Sequence, residues 1–153
     1  MKKLFFCFVA MTALIFASCS KNPAESFEGT YNLDVNGNLN ILFYAGPIFP
    51  TTYQNGGSIT IALDGEDGDF IISGYYEGKG HVDKDGTMKI QPTQKSVSFW
   101  TELTGEMTLP VTIDHGDGIR QKDKTIVWES TYSYTDDEGN VFTVLCTNTA
   151  TRK

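Results

Sequence analysis

The sequence predicts an all-β domain, an antiparallel meander of short strands closing into a barrel of about eight strands. Three observations carry that expectation. Apolar residues recur at every second position, clusters of Gly, Asp and Asn punctuate them at short intervals, and past the first twenty residues no apolar stripe of 3.6-residue period is long enough for a substantial helix. A meander leaves unpaired edges unless it closes on itself or splits into two packed sheets. The scarcity of long crossovers favours the closed up-and-down barrel, with a β-sandwich as the alternative.

The chain opens on a different pattern. Lys2 and Lys3 precede an apolar run from Leu4 to Phe16 that is too short to span a bilayer as a stable helix, and Phe16-Ala17-Ser18-Cys19 closes it with small residues before a cysteine. This stretch resembles a bacterial lipoprotein signal of the type cut by signal peptidase II, with Phe16 where Leu is commonest. The resemblance covers the first twenty residues. It implies that residues 1–18 are a signal peptide and that Cys19 becomes the lipid-bearing first residue of the mature chain. Two or more acyl chains such as palmitate, at about 0.8 kcal/mol per buried methylene, hold a protein on a membrane durably. The implied partner is therefore a membrane, reached through lipid on Cys19. Ser20 follows the cysteine, and Lys21-Asn22-Pro23 holds no acidic cluster. By the same resemblance this implies the outer membrane, facing the periplasm, with the cell surface as the other option.

Removing residues 1–18 leaves 135 of the 153 residues, enough for one domain that hides about two thirds of its unfolded surface. The expected organisation is a lipidated tether at 19–26 and a barrel domain at 27–153. Cys7 leaves with the signal and Cys19 carries lipid, so Cys146 has no intramolecular partner. The mature part holds 10 basic and 19 acidic residues, a net charge of −9. That sign argues against nucleic acid and against adhesion to anionic lipid.

Residues 20–26 show no periodicity. Phe27, Gly29, Tyr31, Leu33 and Val35 then alternate with Glu28, Thr30, Asn32 and Asp34 as a half-buried strand. Asn36-Gly37-Asn38 reads as a turn, after which Leu39, Ile41 and Phe43 resume the alternation. From Ala45 to Gly57 the pattern breaks: Pro47 and Pro50 oppose ladder pairing and Asn55-Gly56-Gly57 reads as a further turn. Ile59, Ile61 and Leu63 follow, then the turn from Asp64 to Gly68 and a strand from Phe70 to Tyr76. Gly78 and Gly80 suggest a bend or bulge before His81 and Val82, and Asp83-Lys84-Asp85-Gly86 marks a hairpin. Met88 and Ile90 form a strand that Pro92 ends. Val97, Phe99, Thr101 and Leu103, then Met107, Leu109, Val111 and Ile113, share one parity across a break at Gly105. After a turn from Asp114 to Gly118, Ile126, Trp128, Tyr132 and Tyr134 alternate up to the turn from Asp136 to Asn140, and Val141 to Thr149 returns.

Phe27-Glu28-Gly29-Thr30-Tyr31 on the first strand resembles the Gly-x-Trp opening of lipocalins and their calycin relatives, with Tyr31 in the Trp place. In those proteins a basic residue near the last strand covers that aromatic at the closed end, and Arg152 stands where one is wanted. The mature chain as a whole resembles calycin-like lipoproteins of Gram-negative gut anaerobes, most of which lack an assigned activity. The second lipocalin motif is missing, and the resemblance bears on fold more than on any ligand.

A barrel of about eight strands is either filled by its own side chains or holds one small molecule. The inward parity here is Ile, Val, Leu and Phe, which favours a mostly filled interior with any pocket at one mouth. The best contact candidates lie on or beside the stretch from Ala45 to Gly57, where Tyr44, Ile48, Phe49 and Tyr53 can form a lid, a contact surface or a plug for the barrel end. Trp100, of opposite parity to Val97 and Phe99, is expected on the outer face, where it can mark a partner surface.

Chemistry-bearing patterns are absent. His81 and His115 lie beside turns, no His-Glu-x-x-His or paired-cysteine spacing offers a zinc site, and no Gly-x-Ser-x-Gly elbow or phosphate-binding glycine loop appears. The acidic turns lack the twelve-residue calcium hand, and Cys146 alternates with Phe142 and Val144 as a buried thiol would. The expectation is no catalytic residue, no metal and no cofactor. The function expected is that of a lipid-anchored envelope lipoprotein binding a small apolar ligand or envelope lipid. The alternative is a protein-interaction module, such as an envelope assembly subunit or a protease inhibitor acting through its loops.

Overall fold

The period-two pattern sorts each strand into an inward apolar row and an outward polar one. In β1 (Gly29–Leu42), Tyr31, Leu33 and Val35 are buried while Thr30, Asn32, Asp34 and Asn36 are exposed. The structure, a computed structural model, describes residues 21–42, 51–65, 67–101 and 105–153. After β1 come β2 (Thr51–Leu63), β3 (Asp69–Gly74), β4 (Gly78–Val82), β5 (Met88–Ile90) and β6 (Thr93–Thr101). They are followed by β7 (Gly105–His115), β8 (Ile119–Arg120), β9 (Ile126–Thr135) and β10 (Val141–Arg152). The described helical structure is one 3-10 turn, Pro23–Ser26.

All ten strands belong to a single antiparallel sheet in the order β5-β4-β3-β2-β1-β10-β9-β7-β6, with β8 also on β9. The sandwich alternative therefore does not describe this chain. First and last strands pair from Tyr31 opposite Arg152 to Leu42 opposite Val141. The ten segments occupy eight strand positions. Thr93 pairs with Ile113, Thr101 with Gly105 and Met88 with Gly118, all in one register, so β5 and β6 are one strand interrupted at Gln91-Pro92. Their partner, β7 and β8, is likewise one strand. It is interrupted at Gly116-Asp117-Gly118, where the pairing with β9 slips by one residue, from His115 opposite Ser130 to Ile119 opposite Val127. With β5 on β4 and Met88 on Gly118, the sheet curls into a barrel.

Among the described residues the interior is packed with side chains. Trp128, Tyr31, Tyr132, Phe27 and Phe70 are the largest fully buried side chains, and Ile59, Ile61, Met88, Ile113 and Ile126 pack among them. Each aliphatic or aromatic side chain so buried contributes roughly 1.5–3 kcal/mol before chain entropy is counted. The lower end is closed by the entering chain. Asn22 caps the 3-10 turn through Oδ1, which accepts from Ala24 N at 3.0 Å, while its Nδ2 donates to Gly65 O at 3.0 Å. Ala24 and Phe27 are buried, and the Tyr31 hydroxyl donates to Phe27 O at 2.6 Å. The stretch read as a tether at 19–26 thus includes a turn docked on the domain from Asn22 onward.

Three glycine-rich stretches read as turns or bends are strand interior. Asn36-Gly37-Asn38 lies within β1: a Cβ on Gly37 would meet Leu145 O at 2.6 Å and Cys146 Sγ at 2.7 Å, so the glycine serves the close approach of β10. Asn55-Gly56-Gly57 lies within β2, where a Cβ on Gly56 would meet Leu33 O at 2.3 Å. Gly78 and Gly80 lie within β4. Asn-Gly is a local turn signal, and here packing overrides it.

Candidate functional site

Strand length creates a further irregularity in the described wall. β3 and β4 are short, and their hairpin turns at Tyr75-Tyr76-Glu77. Among the described residues, β2 joins β3 only from Ile59 to Leu63, so its first half pairs with β1 alone, and β6 pairs with β7 alone. Above the hairpin tip no described strand bridges these two edges, which leaves a notch in the hydrogen-bonded ladder two strand positions wide. It is floored by side chains. Tyr53 from β2 meets Phe99 from β6 with ring centroids 5.2 Å apart, and Tyr132 from β9 stands edge-on to Tyr53 at 5.9 Å.

The rim of the notch is polar. Tyr75 packs on Gly57, whose missing Cβ would lie 3.1 Å from its ring. The Tyr53 and Tyr75 hydroxyls are 3.3 Å apart, and Asn55 Nδ2 donates to the Tyr53 oxygen at 3.0 Å. From β6, Lys95 Nζ stands 3.1 Å from the centre of the Tyr75 ring and donates to the Tyr75 carbonyl. Loss of water around Lys95 lowers its pKa. Burial likewise raises Tyr75 to about 12 and pushes Tyr53, Tyr76 and Tyr132 well above the usual phenol range, so all four phenols keep their protons. Among the described residues the Tyr76 hydroxyl, on a residue 4% exposed, has no hydrogen-bond partner, and the Tyr132 hydroxyl, on a residue 1% exposed, has the Tyr75 hydroxyl as its polar neighbour.

Behind the notch lies His115. Its Nδ1 accepts from Trp128 Nε1 at 3.3 Å, its Nε2 is 3.1 Å from Thr93 Oγ1, and the Tyr76 ring lies 5.3 Å away. Burial lowers its pKa to about 4, with Asp114 opposing. This is a neutral imidazole held by its neighbours.

Of the contact residues read from the sequence, Tyr44, Ile48 and Phe49 lie outside the described residues. Tyr53 is not on a loop. It is a β2 residue, 5% exposed, and reaches the notch from inside the barrel. Trp100 is 62% exposed on the outer face of β6, opposite Glu106 and away from the notch. Lys95 was not among the candidates, yet it shares the inward parity of Val97 and Phe99. A charge in an apolar row is the signal that could have found it.

Two hollows lie elsewhere on the described surface. One of about 310 Å³ near the closed end is bordered by Asp64, Asp69, Lys79, His81 and Lys89. Its polar side chains are already partnered: His81 Nδ1 with Asp69 at 2.7 Å, Lys89 with Asp83 at 2.8 Å and Lys79 with Asp64 at 3.5 Å. The other, open and about 690 Å³, lies on the outer face of β1 and β2 beside Asn32, Asp34, Gln54, Asn55 and Lys153.

Fold and site together define an all-β barrel with a tyrosine-lined notch in its wall. No family model matches the chain, and no curated protein matches it. Among solved structures, one described as the monomer form of M.tuberculosis PknI sensor domain is similar at a TM-score of 0.41 and 12% identity, over 82% of this chain and 86% of that one. That likeness is too low to bear on function.

Proposed function

We propose that this protein is a lipid-anchored lipoprotein of the bacterial envelope whose barrel is a binding module and not an enzyme, taking a small, largely apolar ligand or an envelope lipid at the notch. The notch is the observation that carries the reading: a filled barrel has little use for a wall two strands short, rimmed by an amide, phenols and an amine. The anchor rests on the signal that ends at Cys19. Asn22 is fixed to Gly65, and the three residue steps from Cys19 to Asn22 extend at most about 11 Å. A lipid there holds the closed end against the membrane, facing the periplasm, and leaves the notch in the opposite half of the barrel.

Two measurements test this. Metabolic labelling with palmitate should mark the wild-type protein and not its Cys19→Ala variant; an unlabelled wild type removes the anchor. Native mass spectrometry of a form beginning at Ser20, purified from an envelope-containing extract, should reveal co-purified apolar cargo. The exposed Trp100 favours a second reading, a protein-interaction module, which predicts that Trp100→Ala abolishes capture of an envelope partner while leaving any cargo in place.

A further inference from the structure

The closed end of the barrel is charged unevenly. On one side, the connections from β2 to β3 and from β4 to β5 carry Asp64, Asp67, Asp83 and Asp85. On the other, Arg120 ends β8, Lys122 and Lys124 follow in the turn to β9, and Arg152 ends β10. Register brings these four cations together: Arg120 pairs with Ile126 and Ile126 with Ala150, two residues before Arg152. The turn is tight, with Gln121 N donating to Thr125 O at 2.7 Å and Lys124 N to Gln121 O at 3.0 Å. Its own acid, Asp123, is folded back and accepts from Thr125 N at 3.0 Å and Thr125 Oγ1 at 2.7 Å. None of the four cations joins an ion pair among the described residues, whereas Lys79 and Lys89 on the acidic side do. Arg152 donates to the Glu28 carbonyl at 3.0 Å, and Arg120 Nε is buried with no partner among the described residues. Each guanidinium has five donors, so both have donors to spare. Beside them on the outer face stands Ile119, 58% exposed and paired with Val127. Unmatched cations around an exposed aliphatic side chain suit the layer of a bilayer where phosphate meets hydrocarbon.

The tether decides which surface these groups meet. Asn22 is fixed to Gly65 at this same end, within about 11 Å of Cys19. A net charge of −9 keeps the free domain off anionic lipid, so contact needs the anchor to hold it there. We propose that Arg120, Lys122, Lys124 and Arg152 dock on the phosphate headgroups of the membrane that holds the lipid on Cys19, with Ile119 set among them. Repulsion of the acidic side and attraction of the basic one tilt the barrel toward β8, β9 and β10. This rests on the lipid-anchor reading and adds how the domain is held against the bilayer.

The lipidated protein, purified in detergent and inserted into preformed vesicles, provides the test. The vesicles are phosphatidylcholine alone or mixed with phosphatidylglycerol, and flotation shows that the protein is on them. Acetylation by a membrane-impermeant reagent is then read at each lysine by mass spectrometry. On the mixed vesicles Lys122 and Lys124 should react about fivefold or more slowly than on phosphatidylcholine, the worth of one basic residue at an anionic surface. Lys84, exposed on the acidic side of the same end, should react alike on both. In 1 M salt, where the screening length is about 3 Å, the protection should vanish without loss of flotation. Lys122→Glu, a reversal in an exposed turn, should remove most of the protection of Lys124. Equal rates on the two vesicles, or protection of Lys84 as strong as that of Lys122, overturns the docking and leaves the anchor standing. Failure to float overturns the anchor and the docking together.

Discussion

Met88 and Gly118 exchange backbone hydrogen bonds in both directions, at 2.9 and 2.7 Å, and this pair joins the lower halves of two interrupted strands to close the barrel. A Cβ on Gly118 would fall 2.4 Å from Met88 Cε and 3.2 Å from Met88 Cβ, and Met88 is fully buried. The methionine tip is flexible, so Gly118→Ala should destabilise by about 1–2 kcal/mol. Gly80→Ala meets a stiffer obstacle, with Phe70 Cζ at 2.3 Å and Lys89 O at 2.4 Å, and should destabilise by about 3 kcal/mol. Urea unfolding midpoints of the two variants check the order. A Gly118→Ala loss as large as that of Gly80→Ala would mean that the closing pair has no room to adjust.

Asn148 is a polar residue in the core, 1% exposed, and donates from Nδ2 to Ser130 Oγ at 2.8 Å and to Trp128 O at 3.1 Å. It ties β10 to β9 opposite Trp128. Asn148→Leu removes both bonds and leaves the buried Ser130 hydroxyl short of a partner, a loss of about 1–3 kcal/mol. Adding Ser130→Ala should recover part of that loss, because the stranded hydroxyl goes with it. A double-mutant cycle from denaturant unfolding measures the coupling.

The all-β class and the parity of nearly every strand were legible because burial on one face imposes alternation, as in Tyr31-Leu33-Val35 and in Ile126-Trp128. The glycines were not. Gly37 and Gly56 follow asparagine and look like hairpin turns, but each is there because a neighbouring strand passes too close for a Cβ, a fact of packing that no local window holds. The N-terminal boundary failed for a similar reason: Ala24 is small and lies in a polar stretch, and only its contact with the barrel marks it as core. The notch depends on β3 and β4 being shorter than β2 and β6, which no motif encodes. Lys95 left a trace in its parity, whereas its pairing with Tyr75 depends on a hairpin 20 residues away.

His115 makes stability depend on pH in a defined window. Burial holds its folded pKa near 4, below the ordinary 6.5, so the unfolded chain takes up a proton between these values and the folded one does not. The contribution is therefore complete above pH 6.5 and is lost as pH falls toward 4, by roughly 2–3 kcal/mol after allowing for partial exposure. Asp85, Asp123 and Asp136, held below their ordinary value mainly by hydrogen bonds from Thr87, Thr125 and Asn140, act in a lower window, as pH falls below about 4. His115→Gln should flatten the profile between pH 6.5 and 4 and leave the lower limb in place. Urea unfolding followed by tryptophan fluorescence at half-unit steps reads both limbs, and an unchanged upper limb in the variant assigns it to other groups.

Cys146 offers an internal gauge of opening. In the form beginning at Ser20 it is the sole cysteine; it is 1% exposed, and burial raises its pKa to about 12. Only the thiolate attacks a disulfide reagent, so the native thiol is hindered both by access and by its proton. Modification by an aromatic disulfide at pH 8 should run roughly 10³-fold or more slower in the native protein than in urea, because it waits on unfolding. Gly80→Ala, which loosens the lower wall, should speed the native reaction in proportion to its loss of stability. Fast modification of the native wild type would instead mean that β10 opens locally beside Gly37, where the sulfur leaves no room for a methyl group.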